Sequence, residues 1–127
     1  MIYGIGTDIA DIQRIRKVYE KHGTHFARTL LSEKELEILH DRIGKAEFLA
    51  GRWAAKEAFA KALGTGIGES CSFTEIEILP DEHGAPEITA LYGKAGKTVQ
   101  EKGITRYHVS ISHERDYAVG FVVMETE

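Results

Sequence analysis

The stretch from 45 to 63, KAEFLAGRWAAKEAFAKAL, constrains this chain more than any other. It is made almost entirely of strong helix formers, alanine above all, and it runs into Gly64, a residue suited to a left-handed helix end. It reads as one long helix. At roughly 100° per residue, Phe48, Ala55, Phe59 and Ala62 fall on one stripe, the core face. Glu57 and Lys61 lie on the opposite side, one turn apart. An ordinary surface helix carries a polar stripe there. Here the neighbours are Ala46, Ala50, Trp53, Ala54 and Ala60. A helix apolar nearly all round is covered on both sides. Glu57 and Lys61 are therefore expected in a cleft or at a subunit interface. The simpler account is a plain i,i+4 ion pair worth about 0.2–0.5 kcal/mol. A carboxylate in apolar surroundings needs a partner, because burying it unpaired is costly. Lys61 or a metal ion would serve.

The rest of the chain is organised around that helix. Residues 2–9 alternate small and β-branched side chains and predict a strand ending at Asp8. Ile12, Ile15 and Val18 recur at helical spacing, which predicts a helix over 11–22 stopped by Gly23. Ser32 followed by Glu35 is a capping-box signature for a helix over 32–42. Residues 73–79 alternate with period two, predicting a strand with one wet face. A turn at 81–84 leads to a second strand over 87–91. A helix over 92–102 closes at Gly103. Strands over 107–112 and 117–124 flank a polar turn at Glu114, Arg115 and Asp116. The order is one strand, three helices, a hairpin, a helix and a hairpin. Hairpins imply antiparallel pairing, so the fold class is α+β, with a mainly antiparallel sheet packed on the long helix.

Composition narrows the function. The 127 residues fit a single domain spanning 1–127, and charged residues, 28% of the chain, are well mixed. A net charge of -4 argues against general nucleic-acid binding. Cys71 is the only cysteine, which fits a reducing cytoplasm and excludes an internal disulfide. No run is long enough for a membrane span or a secretory leader. The six histidines show no metal spacing.

Four further features carry possible chemistry. Asp8 follows Gly4-Ile5-Gly6-Thr7, and glycines in a strand mark close approach by a backbone or ligand. Asp8 either serves a site or caps the next helix, for which Asp11 is an equally good cap. Asp8 and Glu57 are the natural pair for a hard cation, since magnesium takes one or two carboxylates, several waters and phosphate oxygens. Gly64-Thr65-Gly66-Ile67-Gly68 invites a phosphate-loop reading, but such loops precede a helix and this one follows it. A helix cap with a flexible loop is the better account. His113 stands where a strand gives way to a turn, facing a ligand or merely filling the turn. Finally, residues 13–28 carry Arg14, Arg16, Lys17, Lys21 and Arg28 against Glu20 alone. That basic run on an acidic chain suits an acidic partner, or is a solvated face.

Three blocks together resemble the holo-acyl-carrier-protein synthase family of 4′-phosphopantetheinyl transferases: Gly4 to Ile9, Phe48 to Ala62 continued by the loop through Gly68, and His108 to His113. Trp53 stands where phenylalanine is common. The resemblance implies a homotrimeric α+β enzyme with its sites between subunits. It implies transfer of the 4′-phosphopantetheine arm of coenzyme A to a serine of apo-acyl carrier protein, releasing adenosine 3′,5′-bisphosphate, in fatty acid biosynthesis. Asp8 and Glu57 would bind Mg²⁺ with the coenzyme A diphosphate, and Lys61 would contact the phosphates. Arg52, Gly64, Thr65, Ser112 and His113 would hold the nucleotide end. Arg14, with Lys21 and Arg28, would dock the acidic carrier helix. Glu57, directly or through a metal-bound water, is the candidate acceptor of the serine proton. Two rivals follow from the same residues. A magnesium-dependent nucleotide hydrolase would need no protein-docking surface, and a non-catalytic carrier-binding module would have no use for the Asp8–Glu57 pair.

Overall fold

The computed structural model describes residues 1–127 and places the alanine-rich stretch at its centre as α4 (Lys45–Leu63). The helix stops at Gly64, whose φ of 87° lets its amide bond back to the carbonyls of Ala60 and Lys61. Fourteen of its nineteen residues are buried, so the cover expected on both faces is there.

That cover comes from the chain itself. β1 (Ile2–Asp11), β5 (Tyr117–Thr126) and β4 (Ile104–His113) form an antiparallel sheet in the order β1-β5-β4, laid across α4. The approach is close because both surfaces are small. A methyl group on Gly4 would come within 2.0 Å of the Ala62 carbonyl oxygen, and on Gly6 within 1.9 Å of that of Ala58. One on Gly120 would meet Ala54 at 2.5 Å. Ala54, Ala58 and Ala62 follow one another at i,i+4 along α4, and the three glycines receive that ridge. The alanines around Glu57 are thus covered by the chain itself, as the cleft alternative expects.

Two clusters complete the core. Around the N-terminal half of α4 pack α1 (Ile12–His22), α2 (Thr24–Leu30) and α3 (Glu33–Asp41), burying Ile12, Leu30, Leu39 and Leu49. Around the C-terminal half pack the hairpin of β2 (Ile76–Pro80) and β3 (Pro86–Leu91), helix α5 (Gly93–Glu101) and the inner face of the sheet. They bury Phe59, Leu63, Ile76, Ile78, Val122 and Met124. Each such large apolar side chain contributes about 1.5–3 kcal/mol when fully buried. No helix is long and apolar enough to cross a membrane.

Three local expectations change. The helix α2 was not anticipated: it is seven residues long, starts without a side-chain cap at Gly23, and is held by Ala27 and Leu30 in the core. Residues Phe73–Glu75 form a 3-10 turn rather than the start of a strand, because Ser72 and Glu75 cap one another. The strand that follows has no wet face either. Ile76, Glu77 and Ile78 are all buried. The Glu77 carboxylate accepts hydrogen bonds from the hydroxyls of Ser32, Thr89 and Tyr92, at 3.0, 2.9 and 3.3 Å. Those partners come from the N-cap of α3, from β3 and from the residue before α5, which no local pattern could place.

Candidate active site

Strand alternation puts Gly4, Gly6 and Asp8 on the same side of β1, the side that faces α4. The glycines bring the strand down onto the helix, and Asp8 is the next side chain in that row. It is not a cap. Asp11 has that role, its Oδ1 accepting from the amides of Gln13 (3.0 Å) and Arg14 (3.2 Å). Lys61 of α4 donates to Asp8 Oδ1 at 2.9 Å and to the Thr7 carbonyl at 3.1 Å. The i,i+4 pair with Glu57 thus gives way to a tertiary pair. Partial burial, and then the nearby charge of Asp8, hold the Glu57 carboxyl above its usual value, with Lys61 opposing. Asp8, Glu57 and Lys61 are therefore one cluster, joined from two distant segments.

This donor set has a definite chemistry. No group of three or more His, Cys, Asp or Glu side chains comes together anywhere in the chain. Two neighbouring carboxylates, one of them held uncomfortably by the other's charge, suit a hard cation that takes its remaining ligands from water and phosphate oxygens.

A second cluster lies apart from the first. A cavity of about 420 Å³ is lined by Arg42, Glu47, Arg52 and His113, with Phe48 and Ile111 beneath. Neither carboxylate of the first cluster lines it, nor does Lys61. Arg52 is almost fully buried and held from three sides. Its Nε donates to the Ile78 carbonyl at 3.0 Å, Glu35 stands 3.7 Å away, and its guanidinium lies 4.5 Å over the Phe48 ring. Burial, partly offset by Glu35, lowers its pKa to about 10, so it keeps its charge at neutral pH.

Beneath Arg52 sits a buried ion pair that the sequence reading did not single out. Lys56, fully buried, donates to Glu35 Oε1 (2.6 Å) and to the carbonyls of Leu30 (2.7 Å) and Phe73 (3.0 Å). Glu35 in turn accepts from the amides of Ser32 and Ile78. The capping glutamate read from the sequence is thus also the counter-ion of α4. A signal existed: Arg52 and Lys56 are two cations one turn apart on a helix that has to be buried, and such cations require an acid.

The remaining site candidates divide. Gly64 caps α4, and the amides of Gly64, Thr65 and Gly66 all point to the Ala60 carbonyl, so these three are not free for a phosphate. The loop offers the exposed Thr65 instead. Ser112 and His113 point to opposite sides of β4. His113 enters the cavity, and Ser112 joins the outer face of the sheet. Over β1 and β5 that face is mainly apolar: Ile5, Ile9, Val119 and Phe121 are 56%, 63%, 37% and 43% exposed. In the basic run, Arg14, Lys21 and Arg28 are exposed. Arg14 lines a groove of about 250 Å³ with Ile15, Val18, Phe26 and Trp53. Arg16 turns away from it to Glu47.

The profile of the 4′-phosphopantetheinyl transferase superfamily matches residues 4–122. The chain belongs to that superfamily. A holo-[acyl-carrier-protein] synthase of Methylibium petroleiphilum is 45% identical over 132 aligned residues, covering 100% of this chain and 98% of that one. The crystal structure of holo-[acyl-carrier-protein] synthase from Neisseria meningitidis superposes with a TM-score of 0.92 at 44% identity, covering 99% of this chain and 100% of the other. That of Bacillus anthracis, in complex with CoA (3′,5′-ADP), superposes at 0.83 with 39% identity, covering 100% and 99%.

Proposed function

We propose that the chain transfers the 4′-phosphopantetheine arm of coenzyme A to a serine hydroxyl of an apo-acyl carrier protein and releases adenosine 3′,5′-bisphosphate. One observation carries the reading: β1 and α4 join Asp8, Glu57 and Lys61 into one cluster, and two carboxylates beside a lysine suit a hard cation and a diphosphate. The enzyme works in the cytoplasm, in the service of fatty acid biosynthesis.

Asp8 and Glu57 would hold Mg²⁺. When bound, the ion supplies charge neutralisation on the diphosphate and orients it for displacement. Lys61 is half-exposed and would add a positive charge for the diphosphate. The serine oxygen attacks the β-phosphorus, the bond to the bridging oxygen breaks, and adenosine 3′,5′-bisphosphate leaves with that oxygen. Glu57, directly or through water, takes the serine proton. Its raised pKa is what a carboxylate needs to be a competent base. Arg52, Arg42 and His113 hold the nucleotide end, with Thr65 and Ser112 contributing from the loop and sheet. Arg14, Lys21 and Arg28 present the positive surface for the carrier's acidic helix, and the groove beside Arg14 receives an apolar side chain of that helix.

The assembly is a homotrimer with its sites between subunits. Two features support this. The outer face of the sheet leaves Ile5, Ile9, Val119 and Phe121 exposed on one side, the kind of apolar surface that another subunit covers. The cation cluster and the nucleotide cavity also lie apart on one chain, so a neighbour's cavity completes each site.

Mass spectrometry of the carrier protein tests the function. After incubation with coenzyme A and Mg²⁺, the carrier gains the phosphopantetheine mass. Asp8→Ala and Glu57→Ala each abolish that gain. A wild-type protein that leaves the carrier unchanged sinks the reading, and full activity in either variant sinks the metal assignment.

A further inference from the structure

The basic run from Arg14 to Arg28 contains one cation that does not face outward with the rest. Arg16 reaches from α1 to the first turn of α4, where one guanidinium nitrogen stands 3.1 Å from Glu47 Oε2. Glu47 is the only acidic residue lining the cavity that also holds Arg42, Arg52 and His113. Left alone, its charge would oppose the anion those three groups are arranged to bind. A neutralised Glu47 leaves two arginines and a histidine to set the sign of the cavity. A hydrogen bond from its own backbone amide, then the Arg16 guanidinium and His113, keep the Glu47 carboxyl below its usual range against the opposing effect of burial, so the acid is ionised and its charge has to be met. Both side chains of the pair are about one-third exposed, so the pair adds little to stability. Its effect lies in the field within the cavity.

We infer that Arg16 is a positioning residue of the nucleotide cavity, cancelling Glu47 so that the cavity takes a phosphate group, and is not part of the carrier-docking surface. This rests on the reading that the cavity receives the adenosine bisphosphate end of coenzyme A. It divides one basic stretch of sequence into two jobs: Arg14, Lys21 and Arg28 for a protein partner, and Arg16 for the nucleotide. One unit charge within several ångströms of an anion at a half-wet site changes its affinity by about three- to tenfold.

Calorimetric binding of adenosine 3′,5′-bisphosphate to the purified full chain is the test. Arg16→Gln weakens binding about three- to tenfold, and the loss shrinks as salt is raised. Arg16→Lys retains most of the affinity. The double variant Arg16→Gln/Glu47→Gln returns to near the wild-type value, because the charge needing cancellation is gone. In the transfer assay, Arg16→Gln raises KM for coenzyme A and leaves kcat and the KM for the carrier protein unchanged. A raised carrier KM with unchanged nucleotide affinity would move Arg16 to the docking surface and overturn the proposal. So would a double variant as weak as Arg16→Gln alone, which would mean the arginine touches the nucleotide directly or only supports the fold. If the wild-type chain does not bind the bisphosphate at all, the assignment of the cavity falls, and the role of Arg16 falls with it.

Discussion

Replacing Gly6 by alanine tests the link between packing and chemistry at its tightest point. The added methyl would lie 1.9 Å from the Ala58 carbonyl oxygen and 2.7 Å from the Ala62 amide nitrogen. Cβ atoms essentially never approach closer than 3.0 Å, so β1 and α4 must separate by about 1 Å at that point. Both groups struck are backbone in the middle of regular elements, and neither can rotate away. Overpacking costs typically about 1–3 kcal/mol, and a backbone clash belongs at the top of that range. Asp8 is two residues further along the same face of β1, while Glu57 and Lys61 ride on α4. A 1 Å separation therefore opens the cluster as well as the core. Misplacing reacting groups by that much costs roughly 10²-fold in rate. The expected result is an unfolding free energy from urea titration lowered by about 3 kcal/mol, together with transfer activity down about 10²-fold under conditions where the variant is fully folded. Gly68→Ala is the control, since its methyl meets no atom within 4 Å and its stability should scarcely change. A Gly6→Ala protein with stability within 1 kcal/mol of the parent, or with its activity intact, would refute the argument.

Other outcomes follow from the same structure. Lys56→Met leaves the fully buried Glu35 with two amide donors and only the more distant Arg52, 3.7 Å away, as counter-ion, and should cost about 3 kcal/mol in urea unfolding. Adding Glu35→Gln should recover part of that loss, and a double variant no better than the single would count against the pair. The Cys71 thiol, pushed up from about 9 to about 12, chiefly by burial, should resist alkylation at pH 8 until the chain is unfolded. Because the unfolded thiol ionises first, native stability should fall as pH rises from 9 toward 12, and Cys71→Ala should flatten that loss. Phe121→Asp puts a charge on the apolar outer face of the sheet, and should convert a trimer to a monomer in sedimentation velocity. A trimer that persists would place the subunit contact elsewhere. Arg14→Glu should raise the KM for the carrier at least tenfold with little change in that for coenzyme A, and equal effects on both would argue against docking.

Much of this molecule is written locally in its sequence. The alanine run and its closing glycine make α4, because helix propensity and capping act within a few residues. Alternation and turn chemistry likewise make β1, β4 and β5 legible, and the capping pair Ser32–Glu35 marks the start of α3. Even the need for cover on the second face of α4 can be read from the run. What covers that face cannot, since the mating of Gly4, Gly6 and Gly120 with the alanine ridge joins segments from opposite ends of the chain. The same holds for charge. Local spacing pairs Glu57 with Lys61, yet tertiary contact gives Lys61 to Asp8, gives Glu35 to Lys56, and turns Arg16 from the docking surface to Glu47. Helix, strand and cap are settled by neighbours in sequence. Which charge meets which is settled only when the backbone brings distant side chains within a few ångströms, because at longer range water and salt screen them from one another.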